Sequence, residues 1–113
     1  MRKPWRLSRQ ARASLVEIAA WTEDTFGKRQ SEIYEADLIA RCEAIAAGTV
    51  VSQSCQRFIH PGLSDVFRMV RAGSHFVVFI DRPEMIAILD FIHVRRDLPS
   101  SFGKLALPPD GDD

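Results

Sequence analysis

The sequence is poor in the features that mark several protein classes. Two cysteines occur in 113 residues, Cys42 and Cys55, far apart and without metal-ligand spacing. No disulfide framework is indicated, and reduced thiols are the simpler expectation, with a single bridge as the alternative. No apolar run approaches the ~18 residues of a membrane span, and the basic start lacks a signal-peptide core. A cytoplasmic chain with no membrane contact is therefore expected. Charge of one sign is missing too: fifteen basic residues face fifteen acidic ones, so no bulk attraction to nucleic acid is implied. His60, His75 and His93 lack helical or hairpin ligand spacing, which leaves no metal or cofactor to expect. No repeat or low-complexity tract is visible.

The even balance conceals a local one. Arg2, Lys3, Arg6, Arg9 and Arg12 precede the first acid, Glu17, while Asp110, Asp112 and Asp113 crowd the far end. Cations on a short strand and first turn are more often solvated than bound to DNA. At this length one domain is expected over residues 1–113, burying about 65% of its unfolded surface.

What is present is a meander. From Val66 to Asp97 three apolar runs (Val66–Val70, Phe76–Ile80, Met85–Ile92) alternate with two turn signals, Ala72-Gly73-Ser74 and Asp81-Arg82-Pro83-Glu84. Short β-branched and aromatic runs bounded by Gly and Pro read as strands joined by hairpins. Upstream, Lys3–Leu7 reads as a short strand with Trp5 and Leu7 on one side. Ser8 stands where an N-cap belongs, and Ala11, Leu15, Ile18, Thr22 and Phe26 recur at helical spacing. Gly27 closes that helix as an αL residue. A second helix runs from about Arg29 to Ala47, with Tyr34, Leu38, Cys42 and Ile45 inward, and Gly48 stops it. The short connection forces an antiparallel hairpin.

Thr49–Asp65 carries little pattern. Val50 and Val51 read as a brief extension, Arg57-Phe58-Ile59 as a short edge strand, and His60-Pro61-Gly62 as a turn. Beyond Asp97, Leu98-Pro99 ends the ladder, Phe102, Leu105 and Leu107 are candidates to pack back, and a flexible tail is expected from about residue 108. The order predicts a two-layer α+β domain, β-α-α-β-β-β, with a helical hairpin on an antiparallel sheet.

The stretches WRLSRQARASLVEIAAWTEDTFGKRQSEIYEADL, FRMVRAGSHFVVFI and ILDFIHVRRDLP resemble the ParE toxins of the RelE/ParE superfamily. Their joint order and spacing carry the resemblance, which covers roughly Trp5 to Pro99. It implies a sheet with the first strand beside the last. It also implies a cognate ParD-like antitoxin wrapped around the toxin in a hetero-oligomer, with DNA gyrase as the usual target. DNA would then be met only indirectly, through antitoxin or gyrase.

Arg68 and Arg71 flank the first hairpin, and His93, Arg95, Arg96 and Asp97 end the last strand. Alternation lets some of these converge at one end of a shared sheet. Guanidinium forks suit carboxylates or phosphates, and imidazole moves protons near neutral pH. One reading is a nuclease site of the RelE type, a ribosome-dependent mRNA endonuclease using Arg68, Arg71, His93 and Arg95. The other, preferred here, is that the arginines pair with Asp65, Asp81, Asp90 and Asp97 and do no chemistry. RelE-type nucleases place a lysine or acidic base near the start of the meander and often an aromatic hydroxyl near its end. Between Arg57 and Asp97 this chain has neither lysine nor tyrosine. Asp65 is the one candidate base, and Tyr34 reads as core. His75 reads as a polar residue on the exposed half of a strand. Trp21 falls off its helix's apolar stripe, as an interface anchor or a cover for a loop. The expectation is a toxin that inhibits gyrase by binding, with Arg68, Arg71, His93, Arg95, Arg96 and Asp97 meeting target or antitoxin. An inert antitoxin-binding relic is a third reading.

Overall fold

The computed structural model describes residues 2–58, 60 and 62–96. In chain order it contains β1 (Trp5–Leu7), α1 (Arg9–Phe26), α2 (Lys28–Ala47), β2 (Gln53–Ser54), α3 (Cys55–Phe58), β3 (Phe67–Ala72), β4 (His75–Asp81) and β5 (Ile86–His93). The helical hairpin packs on one face of a single sheet of order β1-β5-β4-β3-β2. This is the two-layer α+β arrangement that the sequence predicts. The expected chain break at Leu98-Pro99, the packing of Phe102, Leu105 and Leu107, and the tail from 108 lie outside the described residues.

Local chemistry sets the helix ends. Ser8 Oγ accepts from the Ala11 N–H at 3.0 Å and donates to Leu89 O at 2.8 Å, so one side chain caps α1 and ties it to β5. Gly27 takes φ 99° and ψ 164°, a positive-φ conformation that favours glycine but is not the αL expected, and it serves both helices: its N–H bonds Glu23 O while its carbonyl accepts from Ser31 N. The second helix consequently begins at Lys28. Gly48, at φ 75° and ψ 23°, ends it in a Schellman motif, with Gly48 N to Ile45 O and Thr49 N to Ala44 O both 3.1 Å.

The sheet is antiparallel through β2, β3, β4 and β5, and β1 adds to β5 in parallel, Trp5 opposite Ile86 and Leu7 opposite Ile88. The parallel pairing follows from the hairpin. Only Ser8 separates β1 from α1, and the helix continues along β5, with Ser8 at Leu89 and Ser14 at Asp90. α2 then returns the chain until Ala46 O meets Lys3 N at 2.9 Å. Three alternating strands from that starting end leave β5 running with β1.

Against the helices the core comprises Ala11, Leu15, Leu38, Cys42, Ile45, Val70, Val77, Phe79, Ile88 and their neighbours. Cys55, Met69, Val78 and Ile92 form a smaller cluster on the other face, beside α3. Cys42 and Cys55 are free thiols on opposite faces, and burial raises them to about 12 and about 11.

Two further expectations are corrected. Arg57 and Phe58 belong to the short helix α3 and not to an edge strand (Ile59 lies outside the described residues); the edge strand is Gln53–Ser54. So short a segment has no periodicity to distinguish the two. Phe26, expected inward, is 62% exposed, because the inward stripe of α1 ends at buried Thr22 one turn earlier.

Candidate functional site

One feature of β5 decides what its end can do. Phe79 pairs with Ile88 but Val78 pairs with Asp90, so Leu89 is an extra residue in β5. An unbroken ladder would set Ile92 opposite His75; the bulge sets His93 there instead. The two imidazoles meet edge to face with ring centroids 5.2 Å apart, on the helix-covered side of the sheet.

Tyr34 reaches this point from α2. Its hydroxyl lies 2.7 Å from His75 Nδ1, accepts from the Ser74 N–H at 2.9 Å and contacts Ala72 O at 3.3 Å. The tip of the β3–β4 hairpin is thus latched to the helical layer. Gly73 sits in the latch at φ 60°, and a Cβ there would lie 2.7 Å from the Tyr34 ring. Glycine is needed twice over, for its backbone and for the ring above it. Burial raises the Tyr34 phenol. Burial also lowers His75 to about 4, helped by His93 and Arg96 nearby, so its imidazole is neutral at physiological pH.

Beside the latch lies a groove of about 910 Å³ between α1, the start of α2 and the ends of β4 and β5. Ile18, Trp21 and Phe26 form its apolar wall; His75, His93, Arg95 and Arg96 line the opposite side. Trp21 and Phe26 stack edge to face at 5.9 Å while each remains 62% exposed. Large aromatic rings held together in water are characteristic of binding surfaces. The Arg95 backbone N–H donates to His93 Nδ1 at 3.1 Å, which makes Nε2 the ring's donor.

The structure divides the residues singled out in the sequence. His93, Arg95 and Arg96 share the groove; Asp97 lies outside the described residues. Arg68 lies toward the other end of the sheet, opposite Phe79, where it bonds Ser52 Oγ at 2.9 Å and Asp65 at 3.0 Å. Arg71 projects from the other face, and its Nε bonds Gly73 O at 2.9 Å. The nuclease set of Arg68, Arg71, His93 and Arg95 is therefore not assembled at one place. Of the proposed arginine partners, Asp65 takes Arg68, but Asp81 pairs with Lys3 at 2.7 Å and Asp90 accepts from Ser14. His75 is half-buried and engaged, unlike the exposed strand residue expected, and Tyr34 contributes its hydroxyl as well as its ring. The signal for both was faint: Tyr34 and the Gly73 turn become neighbours only once the layers are stacked. Among the described residues no three His, Cys, Asp or Glu side chains gather as metal ligands, and no helix is long and apolar enough to cross a membrane.

Comparison with known proteins agrees with the fold. A solved structure of a chromosomal ParDE TA system from P. aeruginosa superposes with a TM-score of 0.66 at 15% identity, covering 82% of this chain and 97% of that one. Toxin ParE1 of Caulobacter vibrioides is 32% identical over 98 residues, which span 80% of this chain and 88% of that protein. The family described as the ParE toxin of type II toxin-antitoxin system, parDE, matches residues 5–98. The chain belongs to the ParE toxin family of type II toxin–antitoxin systems.

Proposed function

We propose that this ParE-type toxin acts by protein binding: a ParD-like antitoxin fills the groove beside Trp21 and Phe26, and the free toxin inhibits DNA gyrase by holding its cleaved-DNA state. The observation that carries the antitoxin half is the exposed Trp21–Phe26 pair facing a polar wall. An amphipathic helix has the matching two faces, and burying both rings removes apolar surface from water. Support for gyrase comes from kinship with the family and from the separation of Arg68 and Arg71 from His93. Expression of the chain alone is expected to arrest growth, and co-expression with the product of the adjoining reading frame to restore it. Purified toxin is expected to slow gyrase supercoiling and to leave mRNA intact with or without ribosomes. Normal growth with no partner recovered by pull-down overturns the antitoxin half; unimpeded gyrase overturns the target.

One observation favours a second reading, the RelE-type endonuclease. Tyr34 brings an aromatic hydroxyl to the end of the meander, beside His75 and His93, from a helix rather than from the strands. Codon-specific mRNA cleavage that His93→Ala abolishes would install this reading in place of the first.

A further inference from the structure

The polar wall of the groove is organised as a receptor for an anion. His93, Arg95 and Arg96 leave β5 together at one end of it. His93 Nδ1 accepts from the Arg95 N–H, so Nε2 is the nitrogen left to donate. Among the described residues neither the Arg95 nor the Arg96 guanidinium is in an ion pair. Asp90, within electrostatic reach of Arg96, already accepts from Ser14 Oγ and the Phe91 N–H. Glu17 on α1 is the one acid among the groove's described lining residues, and it is exposed and makes no ion pair with them. Two guanidiniums and an imidazole thus line one groove with a single carboxylate, Glu17, among its described lining residues. The backing is held in place by the Tyr34 latch on Ser74 and His75.

We infer that this end of the groove binds a carboxylate side chain, an Asp or Glu in the same antitoxin segment whose apolar residues lie on Trp21 and Phe26. The inference rests on the reading of the groove as the antitoxin site. A guanidinium fork with a neighbouring N–H matches the two oxygens of a planar carboxylate. The aromatic wall suits a peptide side chain better than a solvated polyanion, and Glu17 would repel a doubly charged phosphate more strongly than a singly charged carboxylate. Tyr34 and His75 act as positioning residues, setting the hairpin tip against which His93 rests.

The test uses the full-length chain immobilised on a surface, with the product of the adjoining antitoxin reading frame flowed over it at several salt concentrations. Arg95→Ala with Arg96→Ala is expected to weaken binding about thirtyfold or more and to flatten its salt dependence. A scan of Asp→Asn and Glu→Gln through the antitoxin is expected to find one carboxylate whose loss has the same effect and is not additive with the arginine change. Arg95→Lys with Arg96→Lys, which keeps charge but not the fork, is expected to restore the salt dependence and only part of the affinity. Thermal unfolding of each variant identifies any that fails to fold. Wild-type affinity in the folded double alanine variant, with affinity lost in Trp21→Ala, overturns the carboxylate site and leaves the antitoxin groove standing. Unchanged affinity in both overturns the groove as well. Arginine-dependent binding of inorganic phosphate or an oligonucleotide, with the antitoxin unaffected, assigns the donors to phosphate and also overturns the inference.

Discussion

From Ile86 to Asp90, β5 is enclosed: β1 pairs along one edge, β4 along the other, and α1 closes over it through Ser8 and Ser14. From His93 to Arg96 the same chain emerges into an open groove, with two exposed guanidiniums that make no ion pair among the described residues. In the first half the buried Asp90 carboxylate is engaged, its Oδ1 accepting from both Ser14 Oγ and the Phe91 N–H. The second leaves donors and aromatic surface to spare. The first half serves the fold; the second is the half that the proposed antitoxin would cover. Stability and recognition are therefore separable along one strand, and substitutions in the two halves should sort accordingly.

The largest contrast pairs Ile88 with Trp21. Ile88 is fully buried, so Ile88→Ala is expected to cost about 2–5 kcal/mol of unfolding free energy in urea titrations. Trp21→Ala is expected to stay within about 0.5 kcal/mol of the parent in the same titration. Its effect should instead be on antitoxin affinity, weakened about thirtyfold, the size of a hot-spot residue. A folding loss in Trp21→Ala comparable to that in Ile88→Ala would erase the division between the halves.

Ser14→Ala comes next and sharpens the buried half. Removing the hydroxyl leaves the Asp90 carboxylate one donor short, at a cost of about 1–3 kcal/mol. Burial already raises Asp90 above its ordinary value, against the lowering effect of Ser14. A folded value above the unfolded one means that Asp90 favours folding most below the unfolded pKa and loses that contribution as pH rises through the folded value. The variant's deficit should therefore be larger at pH 7 than at pH 4. A deficit independent of pH would place the lost energy in packing rather than in the carboxylate.

The buried half was also the legible half. Ser8 as cap, the stripe of Ala11, Leu15, Ile18 and Thr22, Gly48 as stop and the two hairpin turns are local signals, each written within a few residues of the structure it sets. The open half depends on a single unpaired residue. Nothing around Leu89 announces a bulge, yet without it His93 would not face His75. Tyr34 looked like core because helical spacing reports direction and not what a hydroxyl will meet. Phe26 carried the right spacing but stood past the end of the covered stripe. Arg68 and Arg71 are three residues apart, an odd step along a strand, so they were bound to emerge on opposite faces. That last conclusion was available from the sequence alone.

Gly73→Ala probes whether the open half has a rigid backing. The new methyl meets the Tyr34 ring and the backbone must hold φ 60°, so a cost of about 1–2 kcal/mol is expected. The combination with Tyr34→Ala should recover the steric part and leave the backbone part. Full additivity of the two changes would mean that ring and glycine do not press on one another.

The smallest expected effect is a pH dependence confined to the open half. His75 in the folded chain titrates at about 4, below the 6.5 of an ordinary imidazole, first because it is buried and then because His93 and Arg96 stand close. The folded state thus binds this proton more weakly than the unfolded one. Its contribution to stability is complete above pH 6.5, declines as pH falls from 6.5 toward 4, and is absent below that. The ring borders an open groove, so solvent screening keeps the effect below about 1 kcal/mol. Asp90 works with the opposite sign, gaining as pH falls, and would mask part of the loss near pH 4. His75→Gln keeps a polar group near Tyr34 and cannot titrate, so the parent-minus-variant difference in urea titrations at pH 7, 5.5 and 4.5 cancels the Asp90 contribution. That difference should shrink steadily across the three values. If it is flat, His75 is not held neutral by its surroundings, and the Tyr34 latch exerts no electrostatic control over the open end of the sheet.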